Sequence, residues 1–281
     1  MDSGSMRVFR RARRGRRRRP LRSLRSVRIS GAVLLLVGCT PGLTAGAALL
    51  IGTSGAETQV EVRRPRPVGA RSALLHTAPR PRILSRSAWA QAEEGAGSRP
   101  APRYDDKVVA VFVHHTASPN RYDCADTPRI IRALYAGQIG NRRWDDIGYN
   151  FLVDRCGTIY EGRAGGVERP VTGAHTQGFN HRTSGIAAIG TFSQGVSVPR
   201  AMTDAIAALA AWKLGLADID PRGKVELVSS NGQSRYQEGK TALLPALAGH
   251  NDGYMTNCPG AALTALLPSI RQKAAHLQGR R

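Results

Sequence analysis

The apolar run Val108-Val109-Ala110-Val111-Phe112-Val113 ends in His114-His115. A short continuous run of β-branched residues, with no polar alternation, is a strand buried on both faces of its sheet. Such a strand needs packed layers on both sides. The run therefore commits the chain to a layered fold and places His114 at the C-terminal end of a central strand, facing a cleft. Two more metal-binding side chains stand far downstream, His250 in Gly249-His250-Asn251-Asp252 and Cys258 in Asn257-Cys258-Pro259-Gly260. Imidazoles and a thiolate are ligand types that Zn²⁺ prefers, and three protein ligands leave a fourth tetrahedral position open, as in catalytic sites. Neither a His-Glu-x-x-His helix nor a pair of Cys-x-x-Cys knuckles occurs, so the common zinc-protease and zinc-finger readings lack support.

The flanking sequence alternates strand and helix signals. Ile83 to Trp89 reads as a docking segment at the start of the domain, and residues 91–106 as loop. Thr127-Pro128 opens a helix whose apolar face holds Ile130, Ile131, Leu134 and Ile139. Residues 149–154 and 158–163 flank Arg155-Cys156-Gly157 as a β-hairpin. Gly185 to Phe192 is a second buried strand, and Ala201 to Leu214 is a helix. Pro221 to Ala248 is ambiguous. Ala261 to Leu277 is a last helix, interrupted at Pro268. No internal repeat is apparent. The expected fold class is α/β: a single domain with a central mixed β-sheet flanked by helices and a hairpin at the sheet centre.

Charge is distributed unevenly. The chain carries a net +21, of which residues 1–28 supply +11 through twelve arginines against one acid, Asp2. Residues 29–56 hold no charge. A basic segment followed by an apolar one reads as an export signal or membrane anchor, with the arm (1–28) cytoplasmic and the rest outside. Leu36-Val37-Gly38-Cys39 also matches a lipoprotein cleavage box, so anchor, cleaved signal and lipidation at Cys39 all stay open. Residues 57–82 are rich in proline and arginine and read as an extended linker, leaving 83–277 as the folded domain. A nucleic-acid partner is not expected. It would need the arm alone, and the apolar run behind that arm lacks the polar face of a soluble helix.

Five segments carry a family resemblance: Phe112-Val113-His114-His115-Thr116-Ala117, Trp144 to Phe151, Tyr160-Glu161-Gly162-Arg163, Gly173-Ala174-His175 with Gly178-Phe179-Asn180, and Gly249-His250 with Cys258-Pro259-Gly260. In this order they resemble the peptidoglycan recognition proteins, the family that includes zinc-dependent N-acetylmuramoyl-L-alanine amidases. The match runs from about Ile83 to about Leu277. Each motif alone is weak, but five in sequence are specific.

The resemblance implies roles. Strand alternation sends His114 and His115 to opposite faces, and the residues alone leave the choice between them even. The family pattern puts the metal on His114, with His250 and Cys258. Tyr149 matches a tyrosine beside the metal-bound water and would donate to an oxyanion. Thr256 matches a threonine two residues before the Cys ligand. His175 and Asn180 match positions lining the muramyl-peptide groove. Trp144 and Arg142 fall in the segment that senses the third stem-peptide residue, where the family often has Gly-Trp and this chain has Arg143-Trp144. Glu161 and Arg163 are expected to form a structural ion pair. With Cys39 in the export segment and Cys258 on the metal, Cys124 and Cys156 remain. An exported protein can keep them as a disulfide; two free buried thiols are the alternative.

The resulting expectation is an exported, monomeric zinc hydrolase acting on peptidoglycan, held to the membrane by its apolar segment or secreted to the wall. It would cleave the amide between N-acetylmuramate and L-alanine. The alternative is a non-catalytic peptidoglycan-binding protein on the same fold. Such relatives usually replace the Cys ligand, commonly by Ser, and here all three ligands are intact.

Overall fold

The computed structural model describes residues 76–90 and 100–281. The basic arm, the export segment with Cys39, and residues 57–75 of the Pro/Arg-rich stretch lie outside the described residues. Residues 76–82, which their composition assigns to a linker, are packed on the domain. His76 Nδ1 lies 3.0 Å from Asp218 Oδ1, Arg80 pairs with Glu168 at 2.9 Å, and Ala78 rests on the main apolar cluster. Their partners lie far along the chain, which composition does not register. Among the described residues, no helix is long and apolar enough to cross a membrane.

Among the described residues, eight strands form two sheets. β1 (Ile83–Leu84), β2 (Ala110–His115), β3 (Phe151–Val153), β4 (Ile159–Glu161), β5 (Thr183–Ala188) and β8 (Leu247–Gly249) make a six-stranded sheet in the order β1-β4-β3-β5-β2-β8. All pairings are parallel except β3–β4, so the sheet is mixed. The β3–β4 hairpin exists as the sequence predicts, but it sits off centre, with β4 beside the edge strand β1. The docking segment takes the outer position because Ile83 and Leu84 pair with Ile159 and Tyr160. The ambiguous stretch after Pro221 resolves into β6 (Lys224–Val228) and β7 (Thr241–Pro245), an antiparallel pair, followed by β8.

Strand parity sorts the side chains. Val111, Val113, Phe151, Val153, Ile186 and Ala188 point to one face, where they pack on α2 (Arg200–Gly215) through Met202, Ile206 and Ala210, and on α4 (Ala261–Leu277) through Leu263, Leu267 and Ile270. The opposite face divides in two. Leu152 and Ala187 meet α1 (Thr127–Ala136) through Ile131 and Tyr135. Ala110, Phe112 and Ala248 meet Leu227, Ala242 and Leu244 of the β6–β7 pair. His114 shares the parity of Ala110 and Phe112 and is in register with Ala187. It therefore emerges where the α1-covered half meets the hairpin-covered half.

Pro268 does not interrupt α4, which runs unbroken through it. Proline removes one intrahelical hydrogen bond, but Pro268 is on the exposed side of the helix, where water can satisfy the freed carbonyl. Gly260, ahead of α4, has φ +95°. A Cβ there would collide with the backbone carbonyl of Phe192, so this close approach requires glycine.

Cys124, in the short turn leading into α1, is bonded to Cys156 in the β3–β4 turn. The bond closes a loop of sequence separation 32. Replacing both cysteines by serine is expected to lower unfolding free energy by about 2–4 kcal/mol, mainly by releasing the unfolded chain. The grouping of His114, His250 and Cys258 should survive the change, since neither cysteine belongs to it. Denaturant titration of the double variant checks this; an unchanged midpoint would show that the bond does no stabilising work.

Candidate metal centre

His114, His250 and Cys258 converge. One ligand-capable atom from each lies within 4.8 Å of the others. The register explains the approach: Val113 pairs with Gly249 across β2 and β8, so the residues that follow, His114 on β2 and His250 just past the end of β8, stand at the same level. His250 opens the four-residue helix α3 (His250–Gly253). The Asp252 carboxylate accepts the Gly249 N–H at 2.8 Å and fixes that turn, in the manner of a capping box. Asn251 N–H donates to the Cys258 carbonyl at 3.0 Å, closing the loop between the two ligands.

The cysteine is positioned with equal care. His115 N–H donates to Cys258 Sγ at 3.2 Å, and Cys258 N–H donates to Thr256 Oγ1 at 3.2 Å. Cys258 Sγ lies 3.8 Å from His114 Nδ1. Ligand atoms about 2.0–2.3 Å from one tetrahedral ion stand roughly 3.3–3.8 Å apart, so this pair already has the spacing of two zinc ligands. The other nitrogen of His114, Nε2, is 3.3 Å from His175 Nδ1 and 3.4 Å from Thr176 Oγ1. That leaves Nδ1, on the side of Cys258, as the nitrogen available to a metal. His250 Nδ1 is buried with no hydrogen-bond partner, which is costly unless something else meets its lone pair.

The electrostatics agree with a cation site. Burial drives His114 well below its ordinary pKa, His250 down to about 4 and His175 down to about 3, in each case aided by neighbouring imidazoles. The rings are therefore neutral at pH 7, the form that ligates metal. Burial also pushes the Cys258 thiol up to about 12, partly opposed by the His115 N–H. A coordinated cation reverses that cost, since a coordinating thiol loses its proton. The donor set and the unmet His250 nitrogen thus suit a divalent ion of the zinc type.

Tyr149 stands beside this cluster, its ring 5.2 Å from that of His114. Burial first, and the Cys258 sulfur second, raise its phenol to about 12. It stays protonated and can donate. Thr256 serves the Cys258 loop through its oxygen, and its O–H remains a donor. Trp144 is half-buried, with the Arg142 guanidinium 5.2 Å over its ring. His175 and Asn180, matched by resemblance to groove positions, are placed differently. His175 is only 6% exposed and lies under His114. Asn180 Oδ1 accepts the N–H groups of His175 and Thr176 at 2.8 and 2.9 Å. His175 supports His114 from beneath, and Asn180 fixes the His175–Thr176 backbone, because Gly173 and Gly185 leave room for the His175 imidazole to sink into the sheet. Glu161 and Arg163 take separate partners. Glu161 accepts from Arg86 N, and Arg163 donates to the Ile147 carbonyl.

Several supporting residues escape a sequence reading. Thr176 and Asp252 act by orienting others, Thr176 through its hydroxyl at His114 Nε2 and Asp252 through its carboxylate at the Gly249 N–H. Asp252, three residues after Gly249, is the one with a local signal. Gln138 is another, buried in the π-helical turn (Gly137–Asn141) that follows α1. Its Oε1 accepts the Gly148 N–H at 2.9 Å and so fixes the backbone next to Tyr149.

Comparison with known proteins places this arrangement. The N-acetylmuramoyl-L-alanine amidase family matches residues 104–261. Human peptidoglycan recognition protein 3 is 35% identical over 112 residues, 40% of this chain and 30% of that protein. Mouse N-acetylmuramoyl-L-alanine amidase is 29% identical over 162 residues, 56% of this chain and 25% of that one. The chain thus spans about a third or less of these relatives' length. The solved structure of Drosophila PGRP-LB superposes with a TM-score of 0.51 at 29% identity, covering 67% of this chain and 93% of that one. A mutant of that protein has been solved in complex with tracheal cytotoxin, at a TM-score of 0.50 and 28% identity. The sheet order, the converging His/His/Cys set and these matches agree: the chain belongs to the N-acetylmuramoyl-L-alanine amidase family, of the peptidoglycan recognition protein type.

Proposed function

We propose that the protein is a zinc-dependent N-acetylmuramoyl-L-alanine amidase, hydrolysing the amide between the lactyl group of N-acetylmuramate and the L-alanine of the stem peptide. The observation that carries this reading is the intact His114, His250 and Cys258 set with its unmet His250 nitrogen. These three residues would hold the ion. When bound, zinc supplies a Lewis acid that polarises the carbonyl and acidifies a water. The protonated phenol of Tyr149 donates to the carbonyl oxygen as negative charge gathers on it. Thr256 offers a second donor and keeps Cys258 in place. Trp144 and Arg142 receive the stem peptide. His175 and Asn180 keep the His114 ring oriented, the supporting role that outer-shell groups play at metal sites.

Mass spectrometry of muropeptides tests the reading. Incubation of peptidoglycan with the purified protein should release free stem peptides beginning with L-alanine and leave intact glycan, and a chelator should stop the release. Binding to peptidoglycan without release would assign the chain to the non-catalytic alternative.

Export belongs to the same proposal, because peptidoglycan lies beyond the membrane. The arginine-rich arm ahead of residues 29–56 should stay inside while the domain crosses. Alkaline phosphatase fused after Arg82 is expected to be active outside the cytoplasm. Reporter confined to the cytoplasm would sink export and, with it, the substrate.

A further inference from the structure

The loop between β6 and β7 (residues 229–240) folds back over the supports of the metal cluster. Its hairpin is fixed to the core, where Leu227, Ala242 and Leu244 cluster with Phe112, and the Tyr236 ring meets that of Phe179 edge-on at 5.6 Å. The loop is also tied within itself. Ser229 Oγ lies 2.9 Å from Ser234 Oγ, and Ser234 Oγ donates to the Tyr236 carbonyl at 2.7 Å. The loop presses on Gly178, where a Cβ would collide with Ser234, and Ser230 N–H donates to the Gly178 carbonyl at 2.8 Å. Gly178 closely follows His175 and Thr176, the pair against His114 Nε2. From the same loop, Arg235 reaches the turn that carries the other histidine of the cluster. Its backbone N–H donates to the Gly253 carbonyl at 3.0 Å, and its Nε donates to the Asn251 carbonyl at 2.6 Å.

We infer that Arg235 is a positioning residue for His250, and that the β6–β7 loop is a clamp joining the supports of the two histidines. The inference rests on the metal-site reading and does not need the amide chemistry. α3 has only four residues, and the last carbonyls of a helix have no intrahelical partner. Its turn is closed by the Tyr254 N–H donating to the His250 carbonyl. Arg235 supplies donors to the Asn251 and Gly253 carbonyls, the first of them from a charged group, which makes the stronger kind of bond. His250 therefore stands on a turn anchored by Asp252 at Gly249 and by Arg235 at Asn251 and Gly253. Since the loop is held rigidly by the core and by Gly178, the turn inherits that rigidity. The Arg235 side chain is exposed, so water partly replaces it when it is removed. The expected loss is accordingly at the low end of the range for groups that orient metal ligands.

The measurement is the zinc affinity of the full chain, by competition with a chromophoric chelator. It is read beside the visible absorption of the Co²⁺-loaded protein and the thermal midpoint of the metal-free protein. Arg235→Ala keeps the backbone bond to Gly253 and deletes the bond to Asn251. Its zinc Kd should rise about tenfold. Its Co²⁺ absorption should change, because that spectrum follows ligand geometry, while the metal-free midpoint stays at the wild-type value. Arg235→Lys restores a charged donor and should recover most of the affinity. Zinc affinity and Co²⁺ absorption unchanged in Arg235→Ala would overturn the inference. So would a loss that Arg235→Lys does not recover, or one matched by a lowered metal-free midpoint, which would assign Arg235 to general stability. A wild-type chain that binds no zinc would overturn the metal centre and the clamp with it. Stem-peptide release is read separately. Release without any affinity effect in Arg235→Ala loses the clamp alone, and the affinity effect without release loses the reaction and keeps the clamp.

Discussion

Cys258→Ser is expected to strip the protein of zinc and lower kcat/KM by more than about a hundredfold, since even outer-shell partners of metal ligands are typically worth 10–100-fold. The reason is local. Cys258 Sγ is already held 3.8 Å from His114 Nδ1 by the His115 N–H. A serine hydroxyl is shorter, and its oxygen lacks the softness of the thiolate that zinc selects. The backbone bond to Thr256 Oγ1 does not involve the sulfur, so the loop should keep its shape and the variant should fold. Zinc per chain by elemental analysis, together with stem-peptide release, checks both parts. Equal zinc in variant and wild type would remove Cys258 from the ligand set. Activity surviving complete removal of metal would remove the mechanism.

Tyr149→Phe should lower kcat by roughly one to three decades, the usual worth of one oxyanion donor, with zinc content and fold retained. Burial keeps the phenol protonated up to about pH 12, so it is a donor throughout the range where the enzyme would work. Phenylalanine preserves the ring contact with His114 and deletes only the O–H. The expected signature is a fall in kcat with little change in KM. A raised KM with unchanged kcat would mean that the phenol serves ground-state binding instead.

Much of the fold is legible in residue order because its elements are locally encoded. The Val108–Val113 run, the Thr127-Pro128 helix start and the turn at Cys156-Gly157 each sit where the structure has a strand, a helix and a hairpin turn. Reading fails where a partner is distant. Residues 76–82 read as linker but pack on Asp218 and Glu168. Pro268 reads as a break but lies on the exposed side of a helix whose buried face, Leu263, Leu267 and Ile270, holds it to the sheet. His175 matches a groove position by resemblance, yet Gly173 and Gly185 let it sink beneath His114.

The sequence by itself determined the chemical kinds in the site, two imidazoles, a thiol and a phenol, and that a buried strand carries His114 and His115 to its end. It also determined that these two histidines part to opposite faces, because side-chain alternation along a strand is a property of the chain alone. Only the tertiary structure decided which of the two meets His250 and Cys258. That follows from the parallel pairing of Val113 with Gly249 and of His114 with Ala187, contacts between segments separated by more than seventy residues. A one-residue slip in either pairing would turn the strand's other side chains toward His250 and Cys258. The site therefore depends on register, which packing on both faces of the sheet sets and no local run of residues encodes.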